Sequence, residues 1–213
     1  MQDFQEIVDN TRKIFDERTR VRDETLVKAR QLTRLAALTI RAIHRSEFMQ
    51  AQEMLNEAHL LVLNMQRDLA SYPDLYHAGY TQDAIKEFAE ANLTFALIGN
   101  QRLPRPEDLG IEYPTYVNGL AETIGELRRR CLDILRQGYS EEAERLLNTM
   151  DEIYNFLVTM DYPDAITNGL RRQTDLVRGI IERTRADLTL SLREQHLQDA
   201  LQKFSDKFAD KFD

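Results

Sequence analysis

A chain of 213 residues suffices for one large domain or two small ones, and with no composition break it reads as a single domain over 1–213, large enough to bury a core without disulfides or a structural metal. Thirty-six acidic against 28 basic side chains give a formal charge of −8, which argues against broad, non-specific affinity for nucleic acid. The amino terminus is charged almost at once and no run approaches about 18 apolar residues, so neither a signal segment nor a membrane span is expected, and cytoplasmic placement follows.

The charge is unevenly spread. Residues 51–160 hold 18 acidic and 9 basic side chains, residues 1–50 hold 8 and 10, and residues 161–213 hold 10 and 9. The negative charge therefore sits in the middle of the chain, which leaves room for a basic face contributed by its ends.

From Gln5 to Ile43 the pattern is helical, and proline and glycine are absent from the first 72 residues. Leu26, Ala29, Leu32, Leu35, Ala36, Ile40 and Ile43 recur at three- and four-residue steps, as one buried face requires. Arginines, among them Arg18, Arg20, Arg22, Arg30, Arg34, Arg41 and Arg45, occupy much of the remainder. Ser46 is placed to cap a second helix whose core series runs from Ala51 to Met65. Tyr72 and Pro73 end that helix.

A third helix, from about Tyr80 to Ile98, is apolar around most of its circumference, so Glu87 and Glu90 stand out on it. Gly99 and Asn100 stop it, and Pro104, Pro106, Gly110 and Pro114 punctuate a connector. The next helix, about Tyr116 to Arg136, carries Glu122 and Glu126 one turn apart, a buried Cys131, and two interior glycines, Gly119 and Gly125. Ser140 and the acids Glu141, Glu142 and Glu144 open a helix that closes at Asp161–Pro163. The last helix is expected from Asp164 or Ala165 to beyond Leu201, and its tail repeats phenylalanine at Phe204, Phe208 and Phe212. Nothing alternates as a strand does, so the fold class is all-α with about six or seven mostly long helices.

Two pairs of glutamates on neighbouring helices can supply oxygen ligands to a hard divalent cation, Mg²⁺ or Mn²⁺, able to activate water and neutralise charge on a phosphodiester. A plain lattice of surface ion pairs, Glu126 with Arg130 for instance, is the alternative. A di-iron bundle would need Glu-x-x-His motifs, and His44, His59, His77 and His196 never follow a glutamate by three. No Cys–His zinc spacing and no Gly-rich phosphate loop is present either.

KEFAEA at Lys86–Ala91, YVNGLAETIGELRRR at Tyr116–Arg130 and the run Asp161–Thr189 together resemble the translin/TRAX family over nearly the whole chain. The resemblance implies an all-α protomer that assembles into a closed hollow homo-oligomer, a hexamer or octamer. It also implies binding of single-stranded RNA or DNA and, for TRAX-like prokaryotic, archaeal members, metal-dependent endoribonuclease activity in which metal-bound water attacks the phosphodiester. Glu87, Glu90 and Glu126 match the family's acids, while Glu122 stands where TRAX has an aspartate. Arg22 resembles an arginine facing nucleic acid, Arg18 and Arg20 are candidates beside it, and His44–Arg45 resembles the TRAX histidine–arginine pair. A non-catalytic, translin-like binder of single strands is the second reading.

Overall fold

The computed structural model describes residues 2–209, which leaves Phe212 outside the described chain. Among these residues every regular element is a helix: α1 (Gln2–His44), α2 (Phe48–Asp68), α3 (Pro73–Tyr76), α4 (Gly79–Ile98), α5 (Pro106–Leu109), α6 (Tyr113–Leu135), α7 (Glu141–Val158), α8 (Asp164–Thr167) and α9 (Leu170–Ala209). Six are long and three are single turns, and none is long and apolar enough to cross a membrane. The chain divides into two compact units, one of residues 2–92 and 105–116, the other of 93–104 and 117–209.

In the first unit α1 and α2 pack along each other, with Leu32, Ala58, Val62 and Met65 fully or almost fully buried against Ile85 and Phe88 of α4. The turn between α1 and α2 differs from the expectation. Ser46 does not cap α2; it lies at φ 61°, its amide donates to the Ile43 carbonyl, and the Glu47 amide donates to Ala42. These bonds satisfy the last carbonyls of α1, so Ser46 ends one helix and Glu47 begins the next without a side-chain cap. Asn100 ends α4 in the same way at φ 50°, its neighbour Gln101 bonding back to Ala96. Polar bonds then fix the foot of α4, where Thr81 and Gln82 donate to the carbonyls of Leu75 and Tyr76 and Thr115 donates to Gln82 Oε1 at 2.6 Å.

In the second unit α7 packs on α9, and Leu146, Met150 and Leu157 are buried along with Val177, Ile181 and Leu188. The Ser140 hydroxyl accepts from the Glu142 amide as an N-cap, and Arg145 holds the Glu142 carboxylate with two hydrogen bonds while donating to the Leu97 carbonyl. Arg128 of α6 reaches Thr184 and Asp187 of α9. Cys131 is wholly buried beside the Ala143 carbonyl, and burial pushes its thiol up to about 11, so it is an inert core residue.

Two boundaries move for physical reasons. Helix α6 starts at Tyr113 because proline, which lacks an N–H, costs nothing in a first turn, so Pro114 belongs to the helix and not to the connector. The expected last helix is broken into α8 and α9 at Asn168 and Gly169, whose φ values of 53° and 82° are the left-handed conformations these two residue types tolerate.

Gly125 lies exposed inside α6 with nothing within 4 Å of an added Cβ. Gly125→Ala is therefore expected to raise stability by about 0.5–1 kcal/mol, read from urea unfolding. At Gly99 the same change would set a Cβ 2.9 Å from the Phe95 carbonyl and is expected to destabilise.

Candidate metal centre

Helix α4 is anchored through Ile85, Phe88 and Ala89, all 0–1 % exposed, and this burial fixes the direction in which the adjacent Glu87 and Glu90 leave the helix. Glu90 is itself only 9 % exposed. One carboxylate oxygen from each of Glu87, Glu90 and Glu122 lies within 4.8 Å of the other two. Glu122 also accepts a hydrogen bond from Gln173 Nε2 of α9 at 3.2 Å, which limits the rotation of its carboxylate.

Three carboxylates this close repel one another, and the repulsion grows as solvent is excluded. A divalent cation is the partner that matches such a group in charge, and all-oxygen donors suit a hard ion such as Mg²⁺ or Mn²⁺ better than zinc or iron. Flexible glutamate side chains can close the remaining separation. The acidic group is thus able to hold a divalent metal ion.

Glu126 stands one turn beyond Glu122 on α6 and is not one of these three. Its carboxylate lies 3.7 Å from Arg129, and its side chain is 23 % exposed.

The four arginines proposed from the family resemblance, Arg18, Arg20, Arg22 and Arg45, all lie in the first unit, and each has an acid nearby. Arg18 bonds to Asp74 and stands over the Tyr72 ring, Arg20 bonds to Glu24 at 2.8 Å, Arg22 to Asp23 at 3.0 Å, and Arg45 to Glu47 at 2.8 Å. Arg22 on α1 and Arg45, just past the end of that helix, are 23 residues apart, which is about 35 Å along the helix axis. One protomer does not bring His44 and Arg45 into a common patch with the other three.

No family model matches the chain. Uncharacterized protein MJ0175 of Methanocaldococcus jannaschii is 33% identical over 185 residues, which is 86% of this chain and 82% of that protein. Two solved structures, AfC3PO and an AfC3PO–duplex RNA complex, superpose with TM-scores of 0.80 at 30% and 31% identity, each covering 88% of this chain and 97% of the other. The chain belongs to the translin/TRAX family. The all-α translin/TRAX fold is also that of apo-NeC3PO, with a TM-score of 0.79 at 22% identity over 86% of this chain and 96% of that one.

Two features of this translin/TRAX chain were not drawn from its sequence: the support of Glu122 by Gln173, and the surroundings of Arg30 and Arg34. A helix spacing reveals neither, because each depends on which distant segment is packed alongside.

Proposed function

We propose that the protein is a Mg²⁺- or Mn²⁺-dependent endoribonuclease that cleaves single-stranded RNA inside a homo-oligomeric cavity. The observation that carries this reading is the approach of Glu87, Glu90 and Glu122 to within 4.8 Å in a fold shared with C3PO. That a relative has been solved with duplex RNA supports RNA as the ligand class.

Glu87, Glu90 and Glu122 would hold the ion, with Glu122 kept in orientation by Gln173. What a divalent ion contributes there is Lewis acidity, which neutralises charge on the phosphodiester and makes water a competent nucleophile near neutral pH. Glu126, one turn along α6 and outside this trio, is proposed as a fourth acid that would take a proton. Water adds to phosphorus and the bond to the leaving ribose oxygen breaks. One product then carries the new P–OH and the other the protonated hydroxyl. Contacts to phosphate position a strand without reading its bases, so cleavage should depend little on sequence.

The proposed assembly is supported by helix faces with no cover in their own unit. On α9, Leu190, Leu197 and Leu201 are each about 60% exposed and share one side of the helix. On α1, Phe4, Ile7, Ile14 and Phe15 do the same.

Incubation of labelled single-stranded and duplex RNA with the purified protein in Mg²⁺, Mn²⁺ and chelator is the test. Products from the single strand with metal, and none in chelator, are expected. The second reading, a non-catalytic binder of single-stranded RNA or DNA, draws support from the ion pair of Glu126 with Arg129; it would be favoured by metal-independent retention without products.

A further inference from the structure

We infer that Arg30, Arg34 and the Tyr80 hydroxyl form a phosphate-binding subsite beside the candidate metal centre, holding the backbone of the RNA. The inference rests on the function proposed above and adds to it the residues that grip the strand next to Glu87.

A cleft of about 480 Å³ runs along α1 and α4 within the first unit. Its floor is apolar, with Leu26, Ala29 and Ala84, and its polar lining includes Arg30, Arg34, Tyr80, Asp83 and Glu87. Arg30 and Arg34 are one turn apart on the same side of α1, both exposed. Unlike Arg18, Arg20, Arg22 and Arg45, they make no ion pair among the described residues. Arg41, likewise exposed and without an ion pair, extends the same face by i+11. Two guanidiniums aimed along one cleft are forked donors suited to phosphate oxygens.

A second observation points to the same ligand. The Tyr80 hydroxyl is buried, and no hydrogen-bond partner is present for it among the described residues. A buried hydroxyl left without a partner is uncommon and costly, and one lining a cleft is satisfied when a ligand oxygen arrives. The acids on the cleft are accounted for: Asp83 lies 4.0 Å from Lys86, and Glu87 belongs to the acidic trio. A divalent ion on that trio cancels most of its negative charge, so that the two arginines are no longer outweighed and a polyanion can enter between arginine and metal.

Fluorescence anisotropy of a fluorescein-labelled oligouridylate, measured in chelator across a salt series, tests the subsite without reference to cleavage. The double variant Arg30→Gln/Arg34→Gln is expected to bind at least tenfold more weakly, with the slope of log affinity against log salt reduced by about 1.4, two single-strand phosphate contacts at about 0.7 each. Tyr80→Phe is expected to weaken binding several-fold while raising the melting temperature of the free protein, because it removes a hydroxyl that only the ligand satisfies. Arg178→Gln, which removes an exposed ion pair with Glu182 on α9, should match the wild type. Wild-type binding with an unaltered affinity and slope in the double variant overturns the subsite alone. Absence of binding by the wild type also overturns the subsite, while metal-dependent products in the cleavage assay would leave the nuclease reading standing.

Discussion

Glu90→Gln is expected to lower metal-dependent RNA cleavage by at least about a hundredfold while leaving the protein folded, because loss of one ligand forfeits several kcal/mol of the electrostatic stabilisation an ion lends to a phosphodiester transition state. The choice of residue follows from burial. Glu90 is the least exposed of the four acids singled out from sequence, at 9 %, so its oxygen cannot readily be replaced by one from solvent. Glutamine keeps the shape and removes the charge. The melting temperatures of variant and wild type in chelator set the reference. Adding Mg²⁺ then separates the two proteins. The wild type gains stability by mass action, about 2.7 kcal/mol at a hundredfold excess over its dissociation constant, and the variant does not. Calorimetry with and without Mg²⁺ separates this account from one in which Glu90 merely supports the fold, where Mg²⁺ would stabilise both proteins alike.

The second large effect is on assembly. Beyond Leu188, the last buried position of α9 among the described side chains, the helix continues to Ala209 with Leu190, Leu197 and Leu201 exposed in one line. A helical segment of that length is marginal by itself in water, and its exposed leucines call for a partner surface. A second copy of the chain fits the proposed oligomer. Each leucine contributes about 1.5–3 kcal/mol when buried, so Leu197→Glu/Leu201→Glu should weaken association about 10²- to 10⁴-fold. Sedimentation velocity should show smaller species for the variant, with helicity retained up to Leu188. An unchanged sedimentation coefficient would remove α9 from the interface.

How much of this was legible in the residues varied by element. The apolar series of α2 and α7 run at a clean helical period, and both helices lie where that period puts them. The break at Asn168–Gly169 was hidden because Ile166 and Leu170 keep the spacing of a continuous helix, although Asn-Gly is a pair that readily adopts positive φ. Ser46 misled for a related reason. Serine is so good an N-cap that its use to end a helix, a role usually given to glycine or asparagine, has no sequence signal.

At the site, the glutamate pairs were visible as charges on an apolar helix and as a family resemblance, and the approach of Glu122 to Glu87 and Glu90 came from tertiary structure. The arginines show the limit most plainly. Arg18 and Arg34 are equivalent in sequence, each a base on a long amphipathic helix. Arg18 is taken up by Asp74, 56 residues away, and Arg34 is not. Only packing distinguishes a neutralised arginine from one left for a ligand.

The central claim is that Glu87, Glu90 and Glu122 converge on one divalent cation. Anomalous diffraction from crystals grown with Mn²⁺ tests it most directly. A peak within bonding distance of oxygens from all three glutamates, lost in crystals of Glu90→Gln, is the expected result. Crystals in which Mn²⁺ binds elsewhere, or in which the three carboxylates turn to separate partners at saturating Mn²⁺, would contradict it.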